Sequence, residues 1–177
     1  MKKINNLTVV IVTYLTEKKI LLNCLQSIDK KTKVIIVENS KSFKHKNYFL
    51  KIFPNIEIVC TGLNLGYGKG NNFGLKRVKT DYALILNPDI ICKADFFKKV
   101  SRLIYKTNQF SIVGCQYSND TAYLPAGFFN AKKHNSFQKN FFKSKRKTLT
   151  KVDWVTGCSM LINLKKYENK NIFDKNY

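Results

Sequence analysis

Four short apolar runs limit what this chain can fold into: residues 7–12, 34–37, 56–60 and 82–86. Residues 82–86 and 34–37 show no polar alternation and read as strands covered on both faces, 7–12 is a continuous β-branched run that reads as a strand, and 56–60 gives one more. Between them the apolar residues fall at helical spacing. Ile20, Leu21, Cys24, Leu25 and Ile28 mark a helix over 17–30. Tyr48, Phe49, Ile52 and Phe53 mark a short one stopped by Pro54, and Leu75 and Val78 continue another toward Asp81. Strands alternating with helices predict an α/β fold, a mostly parallel sheet flanked by helices with right-handed crossovers. At 177 residues and 44% hydrophobic content, one domain with a full core is expected.

The residues suited to chemistry stand at the ends of these runs. In Tyr82-Ala83-Leu84-Ile85-Leu86-Asn87-Pro88-Asp89 the strand stops at Asn87 and Pro88, because proline has no N–H to donate and restricts the residue before it. Asp89 then stands at the carboxyl end of a buried strand, the edge where open α/β sheets bind ligands. A carboxylate there can ligate a divalent cation, and the cation can hold a diphosphate. Taken alone, Asn-Pro-Asp is also an ordinary turn. A second polar cluster, Glu38-Asn39-Ser40, closes the second run.

The string Asn64-Leu65-Gly66-Tyr67-Gly68-Lys69-Gly70-Asn71-Asn72-Phe73-Gly74 comes after the third run. Glycines ahead of a helix start would let backbone N–H groups approach an anion, or they serve only a tight loop. The spacing is neither G-x-x-x-x-G-K-[ST] nor G-x-G-x-x-G, since Asn71 falls where the last glycine of the latter belongs. A dinucleotide fingerprint would also sit on the first strand–helix unit, so a Rossmann oxidoreductase is disfavoured.

Beyond Asp89, Phe96, Phe97, Val100, Leu103 and Ile104 line one face of a helix over 94–106, and 111–116 reads as a strand. Residues 123–129 read as a strand pair. Residues 152–162, with the single tryptophan, read as a helix or strand returning to the sheet, and 165–177 are polar. Residues 130–151 carry Lys132, Lys133, Lys139, Lys143, Lys145, Arg146 and Lys147 among Phe137, Phe141 and Phe142. Such a stretch suits an anionic bilayer surface or a solvated loop, and less well single-stranded nucleic acid. The net charge of +21, from 32 Lys and Arg against 11 Asp and Glu, calls for an anionic partner, although a Lys-, Asn- and Ile-rich chain also results from AT-biased coding. The five cysteines form no C-x-x-C pair, which fits buried reduced thiols in a cytosolic protein. No run is long enough to span a bilayer, and the start lacks a signal-peptide cleavage site.

In this order the pieces resemble the family 2 glycosyltransferases, especially the rhamnosyltransferase-like members that build bacterial surface polysaccharides. The resemblance spans 7–177. Val9-Val10-Ile11-Val12-Thr13-Tyr14 is similar to the first strand and the start of the nucleotide pocket, with Leu15 where an Asn is usual. Val34-Ile35-Ile36-Val37-Glu38-Asn39-Ser40 is similar to the second, with Glu38 in place of the usual nucleotide-contacting Asp. The string from Asn64 to Asn72 resembles the family's most recognisable motif, and Leu86-Asn87-Pro88-Asp89 its form of D-x-D. Asp153-Trp154-Val155-Thr156-Gly157 resembles the acceptor-side segment, and Phe173-Asp174 the opening of the next.

The resemblance implies a glycosyltransferase-A fold, with a donor half over 1–118 and a partial acceptor half over 119–177. It implies a donor site at Thr13, Tyr14, Glu38, Asn39, Asn64, Gly66, Gly70, Asn71, Asn72, Asn87 and Asp89, and an acceptor side at Trp154, Thr156 and Gly157. Asp89 would hold Mg2+ or Mn2+. The expected partners are a UDP- or dTDP-linked sugar and a saccharide or lipid-linked acceptor. No nucleic acid is expected, and the expected place is the cytoplasm, peripheral to the inner face of the cell membrane. The implied reaction is an inverting transfer in which a carboxylate removes the acceptor proton. The family's base-bearing pair comes after Phe-Asp, and the chain stops at Tyr177 before it, so the expected glycosyltransferase either is a truncated version, takes its base from elsewhere, or is inactive. Asp153 and Asp174 are the carboxylates left near that region. A nucleotide-sugar-binding module without turnover, and more remotely a basic nucleic-acid binder, are the rival readings.

Overall fold

The computed structural model describes residues 6–107, 109–115, 126–130, 135–137, 149, 151–174 and 176. The elements in chain order are β1 (Leu7–Thr13), α1 (Lys18–Gln26), β2 (Lys33–Glu38), α2 (Lys46–Ile52), β3 (Ile56–Cys60), α3 (Gly66–Leu75), β4 (Tyr82–Leu86), α4 (Phe96–Lys106), β5 (Ile112–Gly114), β6 (Ala126–Asn130), β7 (Asn135–Phe137), β8 (Trp154–Val155) and β9 (Ser159–Asn163). A 3-10 turn, Leu164–Lys166, comes directly after β9.

The four apolar runs form the parallel part of the main sheet, in the order β3-β2-β1-β4. In β1, β2 and β4 alternate side chains enter two different cores, whereas β3, at the edge, carries the exposed Glu57. Leu7, Val9, Ile11, Val34, Ile36, Leu84 and Leu86 pack with Leu21, Cys24 and Leu25 of α1, Phe49 of α2 and Phe97 and Val100 of α4. Val10, Ile35, Val37, Ala83 and Ile85 pack on the other face with Leu75 and Val78, joined by Ile172 and Phe173. One face therefore carries three helices, and the other carries α3 and the C-terminal segment.

Beyond β4 the sheet departs from a simple alternation. The apolar segment over 152–162, expected as a helix or strand, is two strands. β8 joins β6 and β7 in a small antiparallel sheet, and β9 runs antiparallel between β4 and β5. All five residues of β9 are buried. The strand expected over 111–116 is Ile112–Gly114, with position 116 outside the described residues. The strand pair expected over 123–129 is the single strand β6, paired with β7 and β8; its anticipated first residues, 123–125, lie outside the described residues, as do the lysines and arginine from Lys132 to Lys147.

The glycine string also departs from expectation. It does not precede a helix; it is the helix, Gly66–Leu75, which stops well short of Asp81. The chain tightens there, with Arg77 N–H on the Gly74 carbonyl at 3.0 Å and Val78 N–H on the Leu75 carbonyl at 3.1 Å. A methyl group at Gly70 would lie 2.9 Å from Val12 Cγ1, and one at Gly74 would lie 2.5 Å from Val10 Cγ1 and 2.9 Å from Val37 Cγ2. Those two glycines let α3 lie against β1 and β2. Their absent side chains serve packing here, and no phosphate cradle is needed to explain them.

Candidate functional site

Because β2, β1 and β4 are parallel neighbours, Glu38, Thr13 and the 87–89 turn emerge side by side at one edge of the sheet. Glu38 is buried. It accepts a hydrogen bond from Thr13 Oγ1 at 2.6 Å through one carboxylate oxygen and from Leu15 N–H at 3.2 Å through the other. Its charge thus braces the corner after β1, and the side chain one methylene longer than aspartate reaches across to it. At that corner Leu15 adopts φ 50, a left-handed conformation that costs a branched residue about 1–2 kcal/mol and that asparagine tolerates. Leu15 is 72% exposed, so little packing is lost on replacing it. Leu15→Asn is expected to raise the melting midpoint by about 2–4 °C, the shift that accompanies about 1 kcal/mol in a chain of this size. A lower midpoint on thermal scanning would show that the leucine side chain makes up for its backbone.

The start of α3 reaches the same edge from β3. Asn64 Oδ1 accepts from Gly66 N–H at 2.9 Å, and Gly66 takes φ 75, which lets the chain turn into the helix. Two buried asparagines hold that first turn. Asn39 Nδ2 donates to the Gly66 carbonyl at 3.0 Å, and Asn71 Nδ2 donates to the Tyr67 carbonyl at 2.9 Å. The Oδ1 atoms of both are buried with no hydrogen-bond partner among the described residues. Asn72 works differently: Nδ2 donates to the Phe173 carbonyl at 2.8 Å while Oδ1 accepts from Phe173 N–H at 3.0 Å. It therefore clamps the backbone just before Asp174 to the helix.

Asn87 and Asp89 lie where expected, in the turn after β4. Asn87 N–H donates to the Cys158 carbonyl at 2.9 Å, and the Asn87 carbonyl accepts from Ile90 N–H at 3.2 Å and from the Cys24 thiol at 3.6 Å. Asp89 itself is exposed. No group of three or more His, Cys, Asp or Glu side chains suited to a metal occurs among the described residues. A lone oxygen donor at a sheet edge fits a hard cation that keeps its waters and shares a substrate phosphate, as Mg2+ does, and does not fit zinc. The neighbouring thiols supply no softer ligand: burial pushes Cys24 up to about 12 and Cys92 up to about 11, so both stay protonated at neutral pH.

The acceptor-side residues are spread along one short path. Trp154 packs against Gly127 of β6, where an added methyl would come within 2.6 Å of its ring. Thr156 and Gly157 belong to the connection from β8 to β9. Tyr14 is 53% exposed at the corner after β1. The two carboxylates noted as candidate bases each accept a backbone N–H: Asp153 from Phe129, 24 residues away, at 2.9 Å, and Asp174 from Asn176 at 2.9 Å.

The family model described as Glycosyl transferase family 2 matches residues 8–169. The chain belongs to glycosyl transferase family 2. Rhamnosyltransferase WbbL of Escherichia coli is 28% identical over 180 residues, covering 90% of this chain and 66% of WbbL. Among solved structures, S. aureus TarS 1–349 in complex with UDP superposes with a TM-score of 0.66 at 15% identity, covering 97% of this chain and 51% of that one. Mannosyltransferase PcManGT from Pyrobaculum calidifontis, in complex with GDP-Man and Mn2+, gives 0.60 at 13% identity, covering 93% and 47%. These likenesses at low identity carry the fold, a mixed α/β unit with a central, mostly parallel sheet. The chain spans two thirds or less of the length of these relatives. Within this family 2 domain, sequence reading missed the part played by Tyr67, whose hydroxyl donates to the Gly157 carbonyl and whose ring meets Phe173 edge-on at 5.7 Å. An aromatic among glycines was the available signal, and it does not say what the ring touches.

Proposed function

We propose that this family 2 domain binds a nucleoside diphosphate sugar, UDP- or dTDP-linked, at the carboxyl edge of its sheet and passes the sugar, with inversion, to a saccharide or lipid-linked acceptor. The observation that carries the reading is the convergence at one edge of the Thr13–Leu15 corner, Glu38-Asn39, the first turn of α3 and the Asp89 turn. Support also comes from related folds that hold UDP, or GDP-Man with Mn2+. Asp89 would hold Mg2+ or Mn2+, which when bound would offset negative charge on the departing diphosphate.

The chain's own groups do the rest. Buried Asn39 and Asn71 each keep an unused amide oxygen beside the first turn of α3, positioned to accept from a hydroxyl or imide N–H once the site opens to a ligand. Glu38 keeps the pocket's first corner rigid. Asp153 and Asp174, the two carboxylates proposed near the acceptor side, each accept one backbone N–H through one oxygen. The test is calorimetric titration with UDP and dTDP, with Mn2+ and again in EDTA. Cation-dependent binding, at least about tenfold tighter with Mn2+, is expected. No binding of either nucleotide under both conditions overturns the proposal, and release of nucleoside diphosphate in the presence of acceptor separates a transferase from a binding module.

A further inference from the structure

We infer that Tyr67 is a positioning residue that holds the Asn87-Pro88-Asp89 turn in place through the short strap formed by residues 156–158. The inference rests on the donor-site reading above for its functional meaning, but its structural content stands on contacts between named atoms. The Tyr67 hydroxyl donates to the Gly157 carbonyl. The next carbonyl in the chain, that of Cys158, accepts from Asn87 N–H at 2.9 Å. The residue after that, Ser159, pairs with Leu86 at the end of β4. Successive carbonyls of one strap therefore bind the first turn of α3 on one side and the cation turn on the other.

Two further features mark the strap as fitted to the tyrosine. A methyl at Gly157 would lie 3.1 Å from the phenol oxygen and 3.3 and 3.4 Å from ring carbons, so this glycine leaves room for the ring. The ring also meets Phe173, whose backbone Asn72 clamps by two hydrogen bonds of 2.8 and 3.0 Å. Tyr67 is thus seated between two fixed pieces of chain, and at 41% exposed it stands where water can compete for the bond. Without the Tyr67 hydroxyl the strap keeps its link to Asn87 but loses the hydrogen bond from its Gly157 carbonyl to the donor helix. The 87–89 turn then moves with the strap, and the carboxylate of Asp89 is held less firmly relative to α3.

Tyr67→Phe removes the hydroxyl and keeps the ring against Phe173 and Gly157. Amide hydrogen exchange monitored by NMR is expected to show Asn87 exchanging about 3–10-fold faster in the variant, with Leu84 and Ile85 in the centre of β4 unchanged. Affinity for UDP in the presence of Mn2+ is expected to fall by a similar factor, while affinity in EDTA stays as it was. Wild-type exchange at Asn87 in the variant overturns the inference, whatever the protein binds. Equal losses of UDP affinity with and without Mn2+ also overturn it, because they would mean that Tyr67 touches the nucleotide directly. If the wild-type chain binds no nucleotide, the donor reading falls, and the exchange measurement still decides the role of Tyr67.

Discussion

Asp89→Asn is expected to abolish most cation-dependent nucleotide binding, lowering affinity for UDP with Mn2+ by about 10–100-fold while leaving affinity in EDTA unchanged. The substitution keeps the shape of the side chain and removes its charge, and amide oxygen is a poor substitute for carboxylate toward Mg2+ or Mn2+. Asp89 is exposed and its turn is held by backbone bonds from Asn87 to Cys158 and from Ile90 to Asn87, so the fold should not change. The melting midpoint of the variant is therefore a control. Equal UDP affinity for the two proteins, with matching midpoints, would remove Asp89 from the cation site.

Gly74→Ala should destabilise the protein, against what helix propensity predicts. In a solvated helix interior, alanine is favoured over glycine by about 1 kcal/mol. Here the new methyl would stand 2.5 Å from Val10 Cγ1 and 2.9 Å from Val37 Cγ2, on two central strands of the sheet. Overpacking a close-packed core costs about 1–3 kcal/mol, which outweighs the propensity gain. Net of the propensity gain the loss is at most about 2 kcal/mol, which for a chain of this size is a fall in melting midpoint of up to about 8 °C. Val10→Ala introduced beside it should recover part of the loss, since it removes the first methyl in the way. A midpoint at or above wild type for the single variant would show that α3 can move off the sheet at no cost.

Asn72 illustrates why the role of a site residue is harder to read than its place. In sequence it sits in a string of polar and glycine residues suited to a nucleotide pocket, and the structure uses both ends of its amide on the Phe173 backbone. A side chain buried to this degree hydrogen-bonds what lies beside it, and that neighbour is 101 residues away in the chain. Glu38 is similar. Its position at a strand end was visible, but the engagement of both carboxylate oxygens by Thr13 and Leu15 depends on the β1–β2 register.

The sequence by itself determined the four parallel strands, their alternation with helices and the polar residues at their carboxyl ends. Each of these arises from local pattern: short runs dominated by apolar and β-branched residues, helical spacing, and Asn-Pro or Glu-Asn at the break. The position of Asp89 just beyond the carboxyl end of β4 was legible for the same reason. Tertiary structure decided what local pattern leaves open. The 152–162 segment became β8 and β9 because a gap beside β4 could be closed by an antiparallel strand carrying Ser159, Met160, Leu161, Ile162 and Asn163, all buried. Gly70 and Gly74 lie inside α3 where β1 and β2 approach too closely for side chains, and Gly66 takes the positive φ at its start. Tyr67, Gly157, Cys158 and Asn87 became one connected path only when strands distant in sequence were paired, since long-range register, and no local propensity, sets which backbone carbonyls meet which donors.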